Sequence, residues 1–375
     1  MEVAVVRLTR AQQQERTRRA VLGAARREFA RHGYVEAKVD RIADRAELTR
    51  GAVYSNFPSK RALYLAVLVE LVEQAGDDSR PAPATAPGPA AALGAFARVW
   101  LERLPLVDDP PAQGHLQLRS LAGVLDDEPA RTALAQVARL EALLLALALE
   151  SRVPRGTESV RRVRLAELVL TLLSGSGQLA DSAPGFGDPF DVARACEHLA
   201  AIDLADTWDP PHLPYVLPAQ PCRDTWTPPA RLSDQITGRQ VGVDADGVIA
   251  VLGTGRLEAA EEAVRAAGPN DQVTVAAVTS DPAELGRLVR LRIGDLTGCL
   301  RRVFPPGALP RLRLVLDDRA LVASAIGVPD ADDGAEHAVR VRDGEIVARA
   351  HGRGAAHAAA TAGASGRTRA DGAGT

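Results

Sequence analysis

The chain has 375 residues, a formal net charge of −3, 46% apolar residues and only 3% aromatic ones. That length exceeds one ordinary domain and that apolar content excludes a wholly disordered chain, so two or three folded parts with local disordered stretches are expected. Charge is uneven: residues 1–75 hold 14 Arg or Lys against 9 Asp or Glu, a basic end that points to an anionic partner.

The cysteines, Cys196, Cys222 and Cys299, are far apart, with no C-x-x-C and no histidine at metal spacing. This argues for a reducing compartment and against a disulfide framework or a zinc site. No N-terminal leader pattern is visible, and the run ALLLALAL from Ala142 is too short to span a bilayer. A soluble, cytoplasmic protein without a membrane partner is expected.

Residues 12–75 read as helices separated by tight turns. In RTRRAVLGAARREFARHGY, Leu22, Ala25 and Phe29 share one helical face. VDRIADRAEL places Val39, Ile42, Ala43 and Ala46 on one face of a short amphipathic helix. Thr49 is placed to cap a second short helix from Arg50 to Phe57, which Pro58 ends. Val53 and Phe57 then face inward, leaving Arg50, Gly51, Tyr54, Ser55 and Asn56 outward. Two short helices, a tight turn and a polar outer face describe a helix-turn-helix.

Gly51 lets backbone approach DNA, and Tyr54 can set its hydroxyl on a phosphate with its ring against sugar. Arg50, Ser55 and Asn56 can reach base edges in the major groove. Ser59 caps the next helix, so Lys60 and free N–H groups lie at a positive helix end suited to a phosphate. Lys38 and Thr49 complete the candidate DNA contacts, and Arg61 would add a further phosphate contact.

REFARHGY, VDRIADRAELTRGAVYSNFPSKRALY and the helix after them resemble the TetR/AcrR family of one-component regulators over about sixty residues. Lys38 stands where that family has a capping Ser or Thr, Glu47 where it has a turn glycine, and Arg61 where it has an acid. The resemblance implies a homodimer, more a repressor than an activator, on a palindromic double-stranded operator and released by a small-molecule effector. It also implies that residues 91–205, after a Pro/Ala-rich loop at 76–90, form an all-helical effector-binding and dimerisation domain. RRVRLAELVLTLLSGSGQLAD and FDVARACEHLAAIDL would be its last two helices, pairing with the partner's as a four-helix bundle. Gly175, Ser176 and Gly177 would permit close approach. Candidate effector-pocket residues are Phe96, Trp100, His115, Gln117, Arg119 and Glu141, aromatic or polar among aliphatics, although any single one is more often a core or rim residue.

Residues 206–235 form a Pro/Trp-rich connector containing DTWDPP and DTWTPP, whose tryptophans should pack on something. From 236 to 351 strands and helices alternate as an α/β accessory domain, closed by a hairpin around Asp343-Gly344. Residues 352–375, rich in Ala, Gly and Thr, are expected to be disordered. Gly253-x-Gly255 imitates a dinucleotide fingerprint, but Glu258 stands where the third glycine belongs and would repel a pyrophosphate.

The order of elements instead resembles the thioredoxin/peroxiredoxin-like fold over about 110 residues. The expected cysteine pair and the proline before the hairpin are missing; Ala335 and Glu336 occupy that region, and Cys299 is isolated. A redox-inactive domain is therefore expected, with no cofactor, metal or catalytic residue. The alternatives are a redox or nucleotide-dependent enzyme carried on this domain, or a protein-interaction module. Residues up to Ala205 are expected to fold and dimerise without it.

Overall fold

A computed structural model describes residues 9–77, 88–102, 121, 123–153, 160–183, 185–305, 307–309 and 311–362. Helices come first: α1 (Arg10–Glu36), α2 (Val39–Arg45), α3 (Arg50–Asn56), α4 (Lys60–Asp77), α5 (Gly88–Leu101), α6 (Glu128–Glu150), α7 (Val163–Ser182) and α8 (Pro189–Leu199). There follow β1 (Gln220–Thr225), β2 (Leu232–Ser233), β3 (Gln240–Val241), β4 (Gly247–Gly253), α9 (Ala259–Ala266), β5 (Gln272–Val278), α10 (Leu285–Val303) and β6 (Leu312–Leu316). The last elements are α11 (Leu321–Ala325), β7 (Glu336–Arg342), β8 (Glu345–His351) and α12 (Ala355–Thr361).

Among the described residues the main sheet has the order β1-β8-β7-β4-β5-β6, with β4, β5 and β6 parallel and the other pairs antiparallel. Every residue of β4 is buried, as a central strand covered on both faces must be. Alternate side chains serve two cores. Val248, Ala250 and Leu252 point toward α9, α10 and α12, while Ile249 and Val251 join Trp226 and Val322 on the other face. The hairpin turns at Asp343 and Gly344, at φ 50° and 74°, as an Asp-Gly pair does.

Two segments differ from the sequence expectation. The connector supplies β1 to the sheet edge, and Trp226 is buried with its indole N–H donating to the Val243 carbonyl at 2.9 Å. The segment after Gly352, expected to be disordered, contains α12, whose Ala355, Ala356, Ala359 and Ala360 are buried in the core. An alanine-rich stretch looks like low complexity, yet alanine is the best helix former and lets a helix lie close on a sheet.

The larger difference lies between the two regions. Phe96, Trp100, Leu144 and Leu170 of the helical part share one buried cluster with Val248, Val275, Ile293 and Leu296. At its other end α10 sends Leu285, Leu288 and Leu291 into the cluster built on Phe29, Ile42, Leu63 and Leu68. Ion pairs trace the same seam: Arg161 with Glu261 (2.7 Å) and Asp206, Arg265 with Glu150 (2.8 Å), and Arg292 with Glu141 (2.7 Å). Helix α6 is long and apolar enough by composition to cross a membrane, but 67% of its most apolar window is buried inside the protein.

The helical part is thus not closed by itself. Withdrawing five α10 side chains (Leu285, Leu288, Leu291, Ile293 and Leu296) would forfeit burial on the order of 10 kcal/mol, as much as a whole domain's net stability. A chain ending at Ala205 is therefore expected to aggregate or lack a cooperative melt, as read by gel filtration and thermal circular dichroism. A monodisperse product melting like the full chain would contradict the shared core.

Candidate nucleic-acid interface

The basic N-terminal helices are held by one carboxylate. Glu28 is fully buried and accepts from the Lys38 backbone N–H at 3.3 Å, Arg41 at 3.3 Å and Arg45 at 3.4 Å, which locks α2 across α1. A buried carboxylate persists only with such partners. Sequence reasoning gave Glu28 no role, although with Val21 and Ala25 it continues the spacing of the buried face.

Between α2 and α3 the chain reverses through Ala46 to Leu48, with the Leu48 N–H donating to the Ala43 carbonyl at 3.0 Å. Glu47 sits at φ 57°, left-handed backbone at the position where the resemblance leads one to expect glycine. The turn forms in spite of the side chain. Thr49 caps α3 through its hydroxyl, which accepts from the Ala52 N–H at 3.2 Å. Below α3, Val53 and Phe57 are buried, and Phe57 lies under the Arg18 and Arg287 guanidinium groups, 5.0 and 5.4 Å from its ring centre.

The outward positions are the expected ones. Arg50, Gly51 and Ser55 are exposed, and Tyr54 and Asn56 half-exposed. A side chain at Gly51 would touch only the Thr49 hydroxyl, at 3.9 Å, so nothing inside the protein requires glycine there. Arg50 lies 5.5 Å from the Tyr54 ring centre and 3.4 Å from Asp40. Ser55 and Asn56 fold back, each donating to the Ala52 carbonyl at 2.9 Å, and must release it to meet a base. Lys38 is exposed at the start of α2 and caps it with no side-chain bond.

Two basic residues are engaged differently from the sequence reading. The Lys60 ammonium donates to the Val35 carbonyl at 2.9 Å and lies 4.9 Å from the Tyr34 ring centre, and burial lowers its pKa. Arg61, read as a phosphate contact, pairs with Glu284 at the head of α10 and with Asp127, the cap of α6. Ser59 caps α4 by accepting from the Ala62 N–H at 2.9 Å and donates its hydroxyl to Glu284. The start of α4 is therefore bolted to both other parts of the protein. No local signal in the sequence connects Arg61 to a residue so far along the chain.

The effector-pocket candidates are not brought together as an open site. Phe96 and Trp100 pack on each other with ring centres 5.9 Å apart, both buried, and Glu141 is buried in its pair with Arg292. His115, Gln117 and Arg119 lie outside the described residues. The Gly253-x-Gly255 turn is also filled. A Cβ on Gly253 would collide with the Asp332 and Asp333 backbone, and one on Gly255 would lie 2.8 Å from the Asp333 carbonyl oxygen. Burial raises the Asp333 pKa, but hydroxyl donors from Ser280, Thr254 and Thr279 outweigh it and hold the carboxyl below its usual range. The glycines serve this close approach of the Asp332–Asp333 backbone.

Left-handed backbone at a residue with a Cβ costs about 1 kcal/mol relative to glycine. Glu47→Gly should accordingly raise the unfolding midpoint by about 2 °C, read by calorimetry, with duplex binding retained. A lowered midpoint would show that Glu47 makes a compensating contact.

Residues 21–67 match the family described as bacterial regulatory proteins, tetR family. Solved structures similar to this chain include a tetR-family transcriptional regulator from Streptomyces coelicolor (21% identity, 50% of this chain and 80% of that one, TM-score 0.36). A TetR transcriptional regulator from Rhodococcus sp. RHA1 overlays at 21% identity, 51% and 99% coverage and TM-score 0.32. NalD, the secondary repressor of the MexAB-OprM multidrug efflux pump in Pseudomonas aeruginosa, overlays at 20% identity, 50% and 95% coverage and TM-score 0.32. No curated protein matches the chain. The overlays are too loose to bear an argument; the matched segment, with its helix-turn-helix, places the N-terminal domain of this chain in the tetR family of bacterial regulatory proteins.

Proposed function

We propose that the protein is a homodimeric repressor that holds a palindromic DNA operator through α3 and is released by a small-molecule effector. The observation that carries this reading is the outer face of α3. Val53 and Phe57 fix the helix from below, while Gly51 and Ser55 are exposed and Tyr54, packed against the core along part of its ring, is half-exposed. Such a face suits a major groove, with Tyr54 and Lys38 on phosphates and Arg50, Ser55 and Asn56 on base edges. Lys60 keeps further donors beyond the one given to Val35 and can still meet a phosphate.

Dimerisation is supported by what α7 and α8 leave uncovered. Leu168, Leu179, Phe186 and Phe190 are exposed, the last two at 70% and 73%, and Gly175 has open space above it. An apolar face of this kind calls for a partner, and a second copy satisfies it symmetrically. Cytoplasmic location follows from this function.

For the α/β domain we favour a thioredoxin-like fold without redox chemistry. The support is the parallel β4-α9-β5 unit, then α10, and a terminal hairpin turned by Asp343-Gly344. After β4 stand Thr254, Arg256 and Glu258, where a cysteine pair would be needed. Burial pushes the Cys196 thiol up to about 11, and Cys299 is fully buried. Thiolate, the reactive species, is therefore scarce at Cys196, and burial keeps Cys299 from contact with solvent.

Selection of bound duplexes from a random pool should yield inverted half-sites in successive major grooves, about one helical turn apart or a little more. Tyr54→Phe should weaken all duplexes alike, while Asn56→Ala should alter the selected bases; an unchanged selection in Asn56→Ala would remove it from base reading. In a thiol titration of the native protein Cys222 alone should react quickly, and operator binding should survive peroxide equally in wild type and Cys299→Ser. A peroxide-dependent loss of binding that vanishes in Cys299→Ser would make this a redox sensor.

A further inference from the structure

A cavity of about 590 Å³ opens where α4, α10 and the loop between β2 and β3 meet. Its size is that of a small-molecule site. Val69 and Val72 of α4 and Leu300 and Phe304 at the end of α10 form apolar walls. The loop wall is preorganised. Asp234 is buried and its carboxylate accepts from the N–H groups of Ile236 (3.2 Å), Thr237 (3.1 Å) and Leu314 (3.0 Å) and from the Thr237 hydroxyl (2.6 Å). Arg301 braces the same loop from α10, donating to the carbonyls of Gln235 and Ile236 at 3.2 and 3.1 Å.

The charges at the cavity are unequal in availability. Asp234 is already saturated by donors, and Arg290 is paired with Asp318 at 2.6 Å. Arg301 is engaged by the loop carbonyls, which leaves Glu73 on α4 and Arg239 at the loop's end, both exposed and neither in an ion pair among the described residues. The lining therefore combines an apolar body with a rim that carries one cation, Arg239, able to meet an anionic group. Within the lining the two helices approach closely: a Cβ on Gly294 of α10 would lie 3.2 Å from a Val72 methyl.

We propose that this cavity binds a compact apolar molecule carrying one anionic group, and that it is the effector site of the repressor proposed above, on which reading the regulatory half of the proposal rests. The site lies outside the interior of the helical domain, where Phe96, Trp100 and Glu141 are already packed. The coupling is mechanical. Val69, Val72 and Glu73 belong to α4, whose first turn carries Ser59 and Arg61 clamped to Glu284, and whose Leu63 and Leu68 share the core of the reading head. A molecule wedged between α4 and α10 favours one spacing of these helices. If that spacing differs from the DNA-bound one, ligand and DNA oppose each other by the same factor.

The test uses the full chain and two fluorescent probes of one scaffold, 1-anilinonaphthalene-8-sulfonate and its uncharged relative N-phenyl-1-naphthylamine. Saturable binding of the sulfonate at one site per chain is expected, with weaker affinity for a duplex selected as described above. Ala308→Trp, which places an indole in the cavity, should abolish binding of both probes. Arg239→Glu, at an exposed rim position, should weaken the sulfonate about tenfold and leave the neutral probe unchanged. Sulfonate binding indifferent to both substitutions would overturn the site. Binding sensitive to both but without effect on duplex affinity would overturn the effector role. A wild-type chain that selects no duplex would instead defeat the repressor reading, while the probe titrations would still report on the cavity.

Discussion

Helix α10 lies between two layers and belongs to both. Its first turns put Leu285, Leu288 and Leu291 into the core of the reading head, and its later turns put Ile293, Leu296 and Leu300 under the sheet. At its start Glu284 receives Ser59 and Arg61 from α4, while Arg287 reaches the Ala62 carbonyl at 3.0 Å and lies over Phe57. Burial lowers the Arg287 pKa, the nearby Arg18 adding to it; carbonyls and a ring face hold this guanidinium, with no acid in an ion pair with it among the described residues. The position of α3 relative to the rest of the protein thus depends on a helix far along the chain.

This arrangement changes the part the α/β domain plays. A domain on a flexible connector could be lost without altering the reading head. Here the connector is itself a sheet edge, through β1, and its Asp206 pairs with Arg161 at the head of α7. The α/β domain supplies core to the head, ion pairs to α6 and α7, and a wall to the cavity beside α4. Its contribution to the helical part is structural.

What was legible in the sequence was what short-range physics determines. The Thr49 cap, the burial of Val53 and Phe57 and the outward face of α3 all follow from spacings of three or four residues. The hairpin at Asp343-Gly344 follows from turn stereochemistry. Glu28 was legible in principle, since helical spacing places it on the buried face, where a carboxylate asks for partners. Arg61 was not, because its acceptors Glu284 and Asp127 are set by tertiary contact alone. The core that the first 205 residues share with the α/β region was hidden for a related reason. A helix with apolar positions on two faces, as 285, 288 and 291 against 289, 293 and 296, signals a wedge between layers but not which layers. The alanine helix α12 was hidden by composition.

The central claim is that α4 and the α/β domain are one cooperative unit joined through α10. Native-state hydrogen exchange of Leu288→Ala against wild type tests it directly, because Leu288 is fully buried in the head cluster yet belongs to the α/β region. If the account holds, amides of α4 from Leu63 to Val69 and of β4 from Val248 to Leu252 lose protection together, by a common amount of about 2–5 kcal/mol. Loss confined to β4, with α4 as protected as in wild type, would show that the reading head stands on its own and would contradict the account.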